Sequence, residues 1–290
     1  MILRLLNQAL KHGPSLALLV IILFFTVADY FNGTDSFLTL SNARRIMGSA
    51  ALVAVPAIGM TLIIIAGGID LSAGTAMTLC ATVIAVMFRD YTIPATQPGA
   101  APWVVLALGC GLAAGVLCGL INGLIISLTE MVPFIVTLGT MTIFLGTGLI
   151  IAGSSGRVEA MKTKMDDGTM VSHFPDWLSN LSYTGPNTDE YLFSFFPIPS
   201  SVLIAIVLGA LVAAMMHFTV FGRNIVAIGS NRSTARLCGI RVGLTNVCVY
   251  AVAGIFVAFG ALLFFVNVSG ADPSEAVSYT HLTLPTITEW

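Results

Sequence analysis

Charge is scarce in this sequence: Asp, Glu, Lys and Arg make up 9% of 290 residues, against about 25% in soluble domains. That scarcity excludes an ordinary soluble globular chain. No basic tract or basic patch interleaved with aromatics is present, so nothing points to nucleic acid. The net charge of −2 singles out no class of partner. Cysteine is sparse and scattered. Cys80, Cys110, Cys118 and Cys248 fall inside apolar runs and Cys238 in an arginine-rich stretch, a distribution that excludes a disulfide framework or a metal site. His12, His173, His217 and His281 are equally dispersed. A G-x-x-x-x-G-K-[ST] loop, an H-E-x-x-H pair and paired catalytic carboxylates are all missing. The expectation is therefore no enzyme, no cofactor and no metal.

Apolar residues are abundant, at 57% with a mean hydropathy of +0.95. A membrane span needs about 20 mostly apolar residues. Seven runs qualify, at roughly Pro14 to Tyr30, Ile46 to Ala66, Leu71 to Phe88, Pro102 to Leu128, Pro133 to Gly153, Ser200 to Phe218 and Leu244 to Val268. The fold class is all-α, a polytopic transmembrane helical bundle. The first run follows Arg4 and Lys11 without a clear small-residue cleavage site, and reads as a retained span or anchor.

The second and third runs meet at AGGIDLSAG, Ala66 to Gly74, and read either as two spans or as halves of a re-entrant pair. A carboxylate near hydrocarbon costs ~2.5 kcal/mol or more unless it faces a cavity or a partner, so Asp70 requires an explanation. Two are open: a broken helix beside a polar pathway, or a cap on the following helix. In the fourth run Gly111, Gly115, Gly119 and Gly123 recur every four residues along one helix face, the pattern of close backbone approach between membrane helices. Asn122 beside them reads as a clamp between helices or a solute contact. Thr137, Thr140 and Thr142 are candidates for hydrogen bonds across helices. Residues 154–199 are polar and aromatic, the one sizeable water-exposed segment, with its aromatics expected at the membrane interface. The stretch Thr219 to Gly243 holds Arg223, Arg232, Arg236 and Arg241 with no acidic residue, and so belongs in the cytoplasm. Within it, Ser230 or Asn231 can cap a short helix over Ser233 to Cys238 that Gly239 ends.

Three pieces together, AGGIDLSAG (Ala66 to Gly74), NGLIISLTEMVPFIVTLGTM (Asn122 to Met141) and FGRNIVAIGSNRSTARLCGI (Phe221 to Ile240), resemble the permease subunits of bacterial ABC importers for simple sugars. That group covers ribose, xylose, galactose and galactofuranose importers and is related to branched-chain amino acid permeases. The resemblance spans about Ala54 to Pro273. It implies a multi-pass protein of the bacterial inner membrane. It also implies a second permease subunit, a periplasmic sugar-binding protein and a cytoplasmic ABC ATPase as partners, in a membrane lipid setting. Gly222, Arg223, Gly229, Asn231, Ala235, Arg236 and Gly239 then look like the element that couples to the ATPase, and Asp70, Ser72, Asn122 and Thr137 like pathway-side residues. The alternative is a cation- or proton-coupled secondary transporter in which Asp70 titrates. The family pattern breaks after Pro273. Residues 1–273 are expected to form the permease domain, and 274–290 a non-native tail standing where further spans belong, which would leave the chain unable to assemble.

Overall fold

The computed structural model describes residues 13–33, 36–93, 97, 99–153, 156–159, 162–164, 170–173, 175–184 and 198–274. The expected foreign tail beyond Ser274 and the aromatics from Tyr191 to Phe196 lie outside them. Helices α1 (Gly13–Asn32), α2 (Leu40–Ile65), α3 (Ala73–Asp90), α4 (Ala100–Thr129) and α5 (Pro133–Ala152) come first. Short elements β1 (Val158–Glu159), β2 (Lys162–Lys164), β3 (Met170–Ser172) and α6 (Asp176–Ser179) follow. The chain continues through α7 (Ser200–Phe218), α8 (Val220–Ser230), α9 (Arg232–Leu237), α10 (Val242–Val268) and β4 (Gly270–Ala271).

Among the described residues six helices, α2, α3, α4, α5, α7 and α10, are long and apolar enough to cross a membrane. The chain is thus an all-α polytopic bundle. The remaining apolar run, α1, is exposed along most of its length. Observed ends match the expected ones within about two residues except at α2, which starts at Leu40 because Thr39 Oγ1 accepts from the Asn42 amide at 3.2 Å and caps it. Of the two readings of the second and third runs, two spans or the halves of a re-entrant pair, the lengths suit the first: with 26 and 18 residues, α2 and α3 rise ~39 and ~27 Å at 1.5 Å per residue, each long and apolar enough to cross a membrane.

The centre of the bundle is α10, buried along most of its length and packed most extensively on α4, then on α2 and α3. The glycine ribbon explains the first of these contacts. A methyl group at Gly115 would lie 2.5 Å from the Gly254 carbonyl, and one at Gly119 would overlap the Tyr250 carbonyl. Backbone therefore meets backbone, which is how helices gain packing energy where lipid supplies no hydrophobic drive. These contacts run in opposite sequence directions, so α4 and α2 are antiparallel to α10, while Phe88 and Phe265, tilted rings 5.5 Å apart near the ends of both helices, set α3 parallel to it. The helix ends sort into two layers. Arg223, Arg232, Arg236 and Arg241 lie at one end with the α2–α3 and α4–α5 turns. Described residues of the polar segment, Val158, His173 and Ser182 among them, lie at the other.

At that opposite end β1 pairs antiparallel with β4, Val158 opposite Ala271, and Asn267 Nδ2 donates to Ser182 Oγ at 2.9 Å. His173 is also fixed there. Thr92 Oγ1 donates to the Phe88 carbonyl at 2.6 Å, so the His173 Nδ1 that faces it at 3.1 Å carries the proton and donates. Burial of the ring lowers its pKa below the usual histidine value, opposed in part by the Thr92 contact. A histidine with a depressed folded-state pKa binds protons more readily when unfolded, so its contribution is complete above the ordinary value of about 6.5 and is lost as pH falls through the folded value. The melting temperature of the wild-type chain in detergent should therefore drop between pH 7.5 and 5.5, and His173→Gln should flatten that dependence. An equally steep dependence in the variant would refute the assignment.

Candidate functional site

The α2–α3 connection is built by two local devices. At the end of α2, Gly67 takes a left-handed φ of +80°; its amide donates to Ile64 O and the Gly68 amide to Ile63 O, both at 2.9 Å. This is a Schellman ending, which favours glycine at the left-handed position. Two residues on, Asp70 Oδ1 accepts from the Ser72 amide at 2.8 Å and from Ser72 Oγ at 2.6 Å. Asp70 is therefore not the N-cap of α3. Ser72 occupies that position without a side-chain capping bond, and Asp70 instead closes a tight turn ahead of it.

Around this turn a directed network assembles. Thr140 Oγ1 on α5 donates to Asn122 Oδ1 at 2.6 Å, Asn122 Nδ2 on α4 donates to Ser72 Oγ at 2.7 Å, and Ser72 Oγ donates to Asp70. A carboxylate only accepts, which commits the Ser72 hydroxyl proton to Asp70 and so fixes the orientation of the Asn122 amide. Thr137 holds the turn from the other side. Its Oγ1 accepts from the Leu71 amide at 3.2 Å and shares its one proton between Ile69 O and Phe134 O of its own helix, both at 3.3 Å. Asp70, Ser72, Asn122 and Thr137 are thus brought together, all buried. Asn122 lies seven residues before the end of α4 and Thr140 seven after the start of α5, so the network sits ~10 Å inside the bundle at 1.5 Å per residue. Of the threonines expected to bond across helices, Thr137 and Thr140 do so, while Thr142 donates to its own backbone at Gly139 O.

The arginine-rich stretch forms a second constellation. Thr219 Oγ1 caps α8 by accepting from the Gly222 amide at 3.1 Å, and Asn231 Oδ1 caps α9 by accepting from the Thr234 amide at 2.9 Å. Gly239, with φ +82°, ends α9 in another Schellman turn, through Ile240 N to Ala235 O at 3.1 Å. Gly222, Ile225, Ile228 and Ala235 face inward, whereas Arg223, Val226, Arg236 and Leu237 project outward. Arg236 pairs with Glu130 on the α4–α5 turn, a contact across 106 positions that no local pattern announces.

The two constellations meet at one point. A methyl group on Gly229 would overlap the carbonyl oxygen of Ile65, the last residue of α2. The end of α8 therefore rests directly on the helix end that leads into the Asp70 turn.

Sequence reasoning missed one feature. Asp272 Oδ1 accepts from the Ser274 amide at 2.8 Å and from Ser274 Oγ at 2.6 Å, repeating the Asp70 turn. The helix before it also ends on a left-handed residue, Ser269 with φ +53°. The signal was present, since G-I-D-L-S at Gly68 to Ser72 matches G-A-D-P-S at Gly270 to Ser274.

Comparison with known proteins agrees with this architecture. Residues 42–288 match the family described as branched-chain amino acid transport system / permease component. The ribose import permease protein of Bacillus subtilis is 29% identical over 272 residues, 93% of this chain and 72% of that protein. The galactose/methyl galactoside import permease protein of Escherichia coli is 30% identical over 261 residues, 88% of this chain and 70% of that protein. The ribose import permease protein of Escherichia coli is 26% identical over 276 residues. No solved structure matches the chain. A bundle of apolar spans, a directed polar turn between two of them and a family match over most of the sequence place this chain in the family of transport-system permease components.

Proposed function

We propose that this chain is the transmembrane permease subunit of an ATP-driven importer of a simple sugar in the bacterial inner membrane. In this reading it works with a second permease subunit, a periplasmic sugar-binding protein and a cytoplasmic ABC ATPase, and is itself no enzyme. The arginine-rich end faces the cytoplasm. The observation that carries the reading is the seating of Gly229 on the end of α2. A capped helix pair, rigid between Thr219 and Gly239, offers Arg223, Arg236 and Leu237 to a partner, and its inner face is joined to the turn that Asp70 organises. Arginines on a fixed knob are suited to carboxylate or carbonyl groups on that partner. Force applied to the knob reaches the α2–α3 turn through one backbone contact. Asp70, Ser72, Asn122 and Thr137 hold that turn in shape beside the pathway. A sugar of the ribose or galactose kind is the solute class, since similar proteins are ribose and galactose/methyl galactoside import permeases.

Reconstitution tests the reading. Uptake into proteoliposomes should require ATP, the ATPase and the binding protein together, and should survive an ionophore that collapses ion gradients. Uptake by this chain alone, abolished by the ionophore, would instead establish the proton- or cation-coupled alternative.

A further inference from the structure

A cavity of about 240 Å³ opens at the arginine-rich end, bounded by Gly67 and Gly68, by the junction of α8 and α9 at Asn231 and Arg232, and by Asn246 and Tyr250 on α10. Three of its polar groups are unused. Tyr250 is 3% exposed, and its hydroxyl has no hydrogen-bond partner. Gly68 leaves room beside it, since a Cβ there would lie 2.9 Å from Tyr250 Oη. Arg232 Nε is likewise buried and unpartnered. Asn246 sits one turn before Tyr250 on the same helix, is buried, and its amide makes no hydrogen bond among the described residues. Buried polar groups left unpaired are rare and costly, and two of them around one cavity, with the Asn246 amide opening on the same space, mark a place built for an occupant.

The lining chemistry narrows what that occupant is. No Asp or Glu lines the cavity, although Asp70 lies near enough to act on the Tyr250 hydroxyl from behind; the guanidinium only donates, and the phenol and amide can each turn a donor to an occupant. The complement is an anion with acceptors on several sides. A carboxylate has two oxygens in one plane; a phosphate group presents three or four, and guanidinium matches it well. The geometry points to a phosphate-binding site formed by Arg232, Asn246 and Tyr250, filled by a free phosphate or by the headgroup of an anionic lipid. The occupant bridges α10 and the α8–α9 junction beside Gly229, and so stiffens the joint between the knob and the α2–α3 turn.

The test measures binding and does not depend on transport. The full chain is placed in phosphatidylcholine nanodiscs and its melting temperature followed as inorganic phosphate is added. A second series replaces part of the phosphatidylcholine with phosphatidylglycerol. Wild type should show a saturable rise in one series. A response to soluble phosphate identifies the free anion, and one confined to phosphatidylglycerol identifies the lipid headgroup. Arg232→Gln should weaken the apparent affinity roughly 10- to 100-fold, the loss of one charge-assisted hydrogen bond. Tyr250→Phe should blunt the response while leaving the ligand-free chain at least as stable, because it removes the unpaired hydroxyl. No response of wild type in either series, or a response undiminished in both variants, would overturn the site.

Discussion

Gly229→Ala should abolish coupled uptake, at least tenfold against wild type in the complete reconstituted importer, while ATP hydrolysis continues. In isolation alanine would strengthen a helix by ~1 kcal/mol, so propensity predicts the opposite sign. Packing decides. The added methyl would overlap Ile65 O, a backbone atom held at the end of α2 by the Schellman turn at Gly67, and a backbone carbonyl cannot swing aside as a side chain would. Overpacking of this kind costs ~1–3 kcal/mol. The knob relieves it by lifting off α2, since α8 and α9 each have one exposed face and α2 is packed against α10. Gly146→Ala is the control, because its added methyl meets nothing within 4 Å. Full uptake in the Gly229 variant, with the control unchanged, would show that the contact carries no coupling.

That contact illustrates what the sequence could and could not disclose. Spans were legible because apolar runs of membrane length have one structural solution. The caps at Asn231 and Gly239 were legible because they are local: a side chain two or three residues from the amide it accepts from, and a glycine at a left-handed position. The glycine ribbon announced close approach but not its partner, which proved to be α10, more than a hundred residues further on. The Asp70 question had two candidate answers, and the geometry refines the one about capping: Asp70 holds the turn, and Ser72 begins the helix. Three things depended on distance in space. Arg236 with Glu130, Asn122 with Ser72, and Gly229 with Ile65 each join segments far apart in the chain, and a spacing rule reads only neighbours. The second aspartate turn at Asp272 was overlooked for another reason. Its proline replaces Leu71, which disguises the repeat, although proline occupies the middle of such a turn without needing an amide there.

Asp70 is where geometry and charge can be separated by two substitutions. Asp70→Ala removes the acceptor for two donors on a fully buried residue, the Ser72 amide and hydroxyl. Each buried donor left unpaired costs ~1–3 kcal/mol, so the loss should reach ~2–4 kcal/mol after partial relaxation, measured as a lower melting temperature, with uptake lost. The damage spreads along the network: once the Ser72 proton is no longer committed to a carboxylate, the Asn122 amide is free to turn over and the link to Thr140 loosens. Asp70→Asn keeps an oxygen at the same place. A neutral acceptor makes weaker bonds than a charged one, by ~1 kcal/mol, but the turn closes and the direction of the network is preserved. Stability and uptake should therefore both rank wild type, then Asn, then Ala, with the wider gap between Asn and Ala. Equal loss of uptake in the two variants, with Asn still folded as stably as wild type, would mean that the charge itself acts on the solute or on a coupled ion, and the turn-holding role would have to be abandoned.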